Sequence, residues 1–105
     1  MERFEVYNQL IDAIKSIANG VEAYSKADAI KDLQGRELAA DALRFRIAQL
    51  TSMAASVESD FEVPTENLST LESDIAPKQI NQINEKLEPL RKALLSEILR
   101  LSIDI

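Results

Sequence analysis

The sequence predicts an all-α protein: an antiparallel, up-down helical bundle of three long helices with one or two short ones. Three observations carry that expectation. The 105 residues include only two glycines and three prolines. Apolar residues recur at alternating steps of three and four through three long stretches, the repeat of a helix face and not of a strand. Leucine, isoleucine and alanine are abundant. A chain of this length makes one domain, residues 1–105, with a single core.

The first stretch runs from about Arg3 to Asn19. Phe4, Tyr7, Ile11, Ile14, Ala18 and Val21 form a heptad-like seam, and Leu10 and Ile17 widen it. Asn19-Gly20 reads as a helix stop, since glycine readily supplies the left-handed residue of a C-cap. A short helix is expected at about Lys26–Gln34, opened by Ser25 and Asp28 as a variant capping box and presenting Ala27, Ile30 and Leu33. Gly35 then marks a break or kink.

The stretch Arg36–Val57, RELAADALRFRIAQLTSMAASV, is the centre of the chain. Leu43, Ile47, Leu50, Ala54 and Val57 draw one face, and six alanines keep helix propensity high. At about 100° per residue, Phe45 points about 160° away from Leu43, with Leu38, Ala42 and Met53 towards its side. A helix apolar on two sides sits between two neighbours. Those neighbours are either both in this chain, or one belongs to a second protomer or partner.

Glu58–Thr65 is the best loop candidate, because Pro64 disfavours helical geometry at Val63. Leu68, Leu71 and Ile75 suit a short helix, with Ser69 and Glu72 as another possible capping box. Pro77 fits the first turn of a last helix, where its missing N–H costs little. That helix, about Pro77–Leu101, carries Ile80, Ile83, Leu87, Leu90, Leu94, Ile98 and Leu101 on one seam, with Leu95 and Leu99 widening it. Pro89 leaves the Glu85 carbonyl without its usual donor, so a kink near Glu85–Pro89 is expected, or two helices meeting there.

Composition excludes several chemistries. There is no cysteine, so disulfides, thiolate metal sites and cysteine nucleophiles are absent. There is no histidine either, which removes Ser-His-Asp triads, histidine general bases and nearly all catalytic zinc sites. The only glycines are Gly20 and Gly35, so no glycine-rich phosphate loop exists. No apolar run reaches the roughly 20 residues a membrane span needs, and MERFEVYNQL does not resemble a signal peptide. The expected location is the cytoplasm, with no cofactor, no bound metal and no membrane partner.

The net charge of −6 is uneven. Glu58, Asp60, Glu62, Glu66, Glu72 and Asp74 fall in a segment, 58–76, that holds no base. Its first acids alternate as in a calcium loop, but Val63 stands where such a loop needs glycine and Ser69 where it needs a bidentate glutamate. A solvated linker, or a docking strip for a basic partner, fits better. Arg44 and Arg46 do not amount to a nucleic-acid patch, because Glu37 and Asp41 sit among them and no basic stripe is sustained; Asp41 pairing with Arg44 is expected instead. Tyr7 and Tyr24 read as core-edge residues.

Two segments resemble HEPN-type helical bundles, in particular the HepT-like toxin ribonucleases. LIDAIKSIANGVEAYSKADAI followed by ADALRFRIAQLTSMAASV is similar to that family's opening helix, connector and long helix. INQINEKLEPLRKALLSEIL is similar to its closing helix, with Pro89, Leu90 and Arg91 in the Pro-Leu-basic positions. The resemblance implies a dimer-forming helical bundle. Those ribonucleases use an Arg-x(4–6)-His motif between the two regions, and here Phe61–Ile80 holds neither residue, so none of the family's catalytic residues can be placed on this chain.

The leading expectation is a small, non-enzymatic interaction protein, homodimeric through apolar helix faces. Its candidate contact residues are Leu38, Ala42, Phe45 and Met53, with Glu58, Asp60 and Glu62 as an acidic strip. One alternative is a degenerate HEPN-like toxin–antitoxin component acting with RNA or a nucleotidyltransferase. Another is a chaperone or inhibitor of a basic protein partner.

Overall fold

A computed structural model gives the fold and describes residues 2–57 and 68–103. It is all-α. The described residues form three long helices, α1 (Glu2–Ala29), α2 (Leu33–Val57) and α3 (Ile80–Ile103), with one 3-10 helix, Leu68–Asp74, between α2 and α3 in the chain. No strand occurs among the described residues. The expected loop Glu58–Thr65 lies outside them.

The helix in the middle is α1, not α2. α1 packs against both α2 and α3, whereas no Cα of α2 comes within 8 Å of a Cα of α3. The reason lies in the width of the apolar faces. Tyr7, Leu10, Ile11, Ile14, Ile17, Val21, Tyr24 and Ala27 are all buried, and together they sweep roughly 200° of α1. One neighbour cannot cover so wide an arc, so two share it. The tyrosines expected at the core's edge are fully inside it. α2 buries a narrower stripe, Ala40, Leu43, Ile47, Leu50 and Ala54, and α3 contributes Ile80, Ile83, Leu87, Leu90 and Leu94. At about 1.5 Å per residue α1 is about 42 Å long, which accounts for the elongated shape of 50 × 21 × 18 Å.

α1 runs straight through Asn19-Gly20 instead of stopping. Gly20 is buried, and no glycine has positive φ. Its missing side chain admits α2: a Cβ at Gly20 would stand 2.7 Å from Leu43 Cδ2 and 3.0 Å from Arg46 Nη1. Helix propensity loses about 1 kcal/mol at a glycine, but close packing of the fully buried Leu43 offsets it. The pairings Gly20 with Leu43, Ser16 with Arg46 and Asp28 with Arg36 match late α1 to early α2. These two helices therefore form an antiparallel hairpin.

The expected short helix at Lys26–Gln34 does not exist as a unit. Ala27 is buried in the last turn of α1, while Ile30 and Leu33 are exposed beside a three-residue turn. The turn is a Schellman motif. The Asp32 N–H donates to the Ala27 carbonyl at 2.8 Å and the Lys31 N–H to the Asp28 carbonyl at 3.1 Å. The left-handed residue is Lys31, with φ 59°. Asp32 then caps α2: its Oδ1 accepts from the Gly35 N–H at 3.0 Å. Gly35 consequently sits inside the first turn of α2, without a break. Asp28 is inside α1 and pairs with Arg36, so Ser25 opens no capping box.

The segment 68–76 is part of the fold, not a solvated connector. Leu68, Leu71 and Asp74 are the buried residues of the 3-10 helix, and a three-residue repeat brings positions i, i+3 and i+6 into line. Ser69 and Glu72 stand exposed on its other side. The 3-10 helix touches both α2 and α3. Asp74, counted among acids without a base nearby in sequence, meets one in space: Lys86 Nζ donates to its Oδ2 at 2.7 Å and to Thr70 Oγ1 at 3.0 Å. The Ala76 carbonyl accepts from the Gln79 and Ile80 N–H groups, both at 2.9 Å, so Pro77 occupies the first turn leading into α3 as its chemistry favours.

α3 passes through Pro89 as one continuous helix, so two helices do not meet there. Pro89 and Glu85 are both exposed. The carbonyl deprived of its donor therefore faces outward, while Leu87, Leu90 and Leu94 hold the opposite side on the core.

Candidate interaction surface

α2 has one face on α1 and the 3-10 helix, and none of the described helices lies over the other. Leu38 and Phe45 project from that outer face, each 65% exposed. They are seven residues apart and share a direction. Ala42 lies between them, half-buried, and its methyl group keeps the middle of the stripe low. These three of the sequence-derived contact residues come together. Met53 does not join them: it is half-buried and packs on the core edge. Glu58, Asp60 and Glu62 lie outside the described residues.

The charged residues beside the stripe are ordered. Glu37, Asp41 and Arg44 fall on one flank, within an arc of about 60°, and all are exposed. Arg44 Nη1 meets Asp41 Oδ1 at 2.8 Å, the pairing expected from their spacing. Both side chains are at least half exposed, so the pair adds little to stability. Arg46 does something else. It is half-buried, and its Nη1 donates to the Ser16 carbonyl of α1 at 2.8 Å, beside Gly20. Nothing in local spacing announced that bond, because its partner is thirty residues away.

At the turn end of the stripe, Ile30 and Leu33 add exposed apolar surface. Nearby, Arg36 Nη1 meets Asp28 Oδ1 at 2.8 Å across the hairpin. That hydrogen bond holds the Arg36 guanidinium above its ordinary pKa, against the opposing effect of desolvation. A second exposed apolar group, Leu95, Leu99 and Ile103, follows the outer side of α3; Leu95 and Leu99 do not widen the buried seam as the sequence suggests. An open cleft of about 430 Å³ lies between α2 and the 3-10 helix, lined by Ile47, Ala48, Thr51, Ser52, Leu68, Ser69 and Glu72. Among the described residues that line it, Glu72 is the one ionisable group.

None of the described helices is long and apolar enough to cross a membrane. Comparison with protein-family models, with curated proteins and with solved structures found no match.

Proposed function

We propose that the protein is a small, non-enzymatic interaction module that forms a homodimer through the outer face of α2. The observation that supports this reading is the exposure of Leu38 and Phe45 on a long, well-packed helix. A benzyl group and an isobutyl group held in water on a rigid face are what an association surface places at its centre. The neighbouring residues are consistent with it. Arg46 is engaged in bonding the hairpin together, which fits a structural duty better than service as a catalytic base or nucleic-acid contact.

The test is the mass in solution. Light scattering coupled to gel filtration at micromolar concentration should give twice the chain mass of 11.7 kDa. Phe45→Asp should give a folded monomer with the same helical circular dichroism, since the side chain lies outside the chain's own core, and with a melting midpoint lowered only by the lost dimer stabilisation. A monomeric parent protein sinks the homodimer. Ribonuclease activity lost on replacing Arg44 would favour the HEPN-like alternative instead.

A further inference from the structure

The order of charges along the exposed flank of α2 selects how a second copy would lie on it. The flank is acidic towards the start of the helix, at Glu37 and Asp41, and basic towards its end, at Arg44. The apolar stripe has its large residues at the two ends, Leu38 and Phe45, and its small one, Ala42, near the middle. We infer that two copies pack α2 against α2 in antiparallel orientation, about a two-fold axis passing between residues 41 and 42, with Arg44 of each copy seated between Glu37 and Asp41 of the other. This rests on the reading of the outer α2 face as a homodimer surface and specifies its geometry.

The symmetry can be worked through. A two-fold axis perpendicular to both helices brings the same flank of each copy together and reverses its direction. With the axis between 41 and 42, Leu38 is level with Phe45 of the partner, and Phe45 with Leu38 of the partner. Each large side chain thus meets a large one, and the two Ala42 methyl groups flank the axis, where close approach of the backbones needs small side chains. On the flank, Arg44 falls level with residue 39 of the partner, between the carboxylates of Glu37 and Asp41. The existing Arg44–Asp41 pair is exposed and cheap to exchange.

A parallel two-fold pairing does not achieve this. There, the flank carrying Glu37, Asp41 and Arg44 meets the opposite flank of the partner helix, where Ala39, Arg46, Gln49 and Met53 offer no acid to Arg44. A parallel arrangement would also set Phe45 on Phe45 and Leu38 on Leu38, leaving the charge order without use.

The experiment measures the dimer dissociation constant by analytical ultracentrifugation for four full-length proteins at low salt. Arg44→Glu should weaken the dimer by about ten-fold or more, because two symmetry-related clusters become all-acidic. Lys92→Glu makes the same charge change on exposed α3, away from this surface, and should leave the constant unchanged. The triple variant Glu37→Arg, Asp41→Arg, Arg44→Glu reverses every charge on the flank and should restore association. Raising salt should shrink the Arg44→Glu effect. If Arg44→Glu behaves like Lys92→Glu, or the triple variant stays as weak as the single one, the antiparallel geometry is overturned while a homodimer through α2 stands. A monomeric parent protein overturns both.

Discussion

Gly20 is the residue where two requirements of the chain conflict, and packing wins. A glycine in mid-helix weakens α1 by about 1 kcal/mol relative to alanine, yet the Leu43 side chain occupies the space a Cβ would need. Leu43 is fully buried and cannot swing aside cheaply. Gly20→Ala is therefore expected to destabilise the protein by about 1–2 kcal/mol in urea unfolding, despite the gain in propensity. A more stable variant would mean that the α1–α2 interface yields more easily than its burial indicates. Lys31 presents the opposite case. It holds a left-handed backbone conformation that suits glycine, in an exposed turn. Lys31→Gly should raise stability by about 0.5–1 kcal/mol, because the Schellman hydrogen bonds involve only the backbone and the steric cost of the Cβ disappears. Thermal unfolding checks it: an unchanged or lowered midpoint would show that the lysine side chain contributes something the turn geometry does not reveal.

At the scale of elements, the 3-10 helix depends on one electrostatic tie. The Asp74 side chain is only 6% exposed, and Lys86 pairs with it and also reaches Thr70. Removing the cation leaves a carboxylate in a largely water-free position, which costs more than the pair itself contributes. Lys86→Ala should destabilise by about 2–3 kcal/mol, and Asp74→Ala added to it should cost less than the sum of the two single changes. Strictly additive values in a double-mutant cycle would show that the contact carries no coupling. The elements themselves were largely legible in the sequence wherever periodicity spoke. The buried seams of α2 and α3 follow the spacing as far as Ala54 and Leu94, with Ile98 and Leu101 partly buried and the Val57 side chain outside the described residues, and Leu10 and Ile17 widen the α1 seam as the spacing drew it. What failed was punctuation. Gly20 and Gly35 read as breaks because local propensity cannot register a neighbouring helix's leucine or a capping aspartate's demand. The true turn at Lys31 carried no glycine to mark it. Asp74 and Lys86 are twelve residues apart, so their pairing is a property of the fold and not of spacing. At the surface, Leu38, Ala42 and Phe45 shared a face as expected, whereas Met53 fell to the core edge, because a residue eleven positions beyond Ala42 reaches the end of α2 that the rest of the core covers.

For the molecule as a whole, the decisive feature is that α1 lies between two helices whose Cα atoms nowhere come within 8 Å of each other. Its partner α2 follows after a three-residue turn and closes a local hairpin, whereas α3 begins more than fifty residues after α1 ends. During synthesis at about 5–20 residues per second, the hairpin has seconds to form before α3 is complete. Through that interval the side of α1 meant for α3 has no cover. A fragment ending at Val57 should accordingly be helical but bind a hydrophobic dye and associate at concentrations where the full chain does not bind it. The order in which the polypeptide emerges thus makes its middle layer the first part built and the last part sheltered, and places the vulnerability of a nascent chain on the very surface that later becomes its best-protected interior.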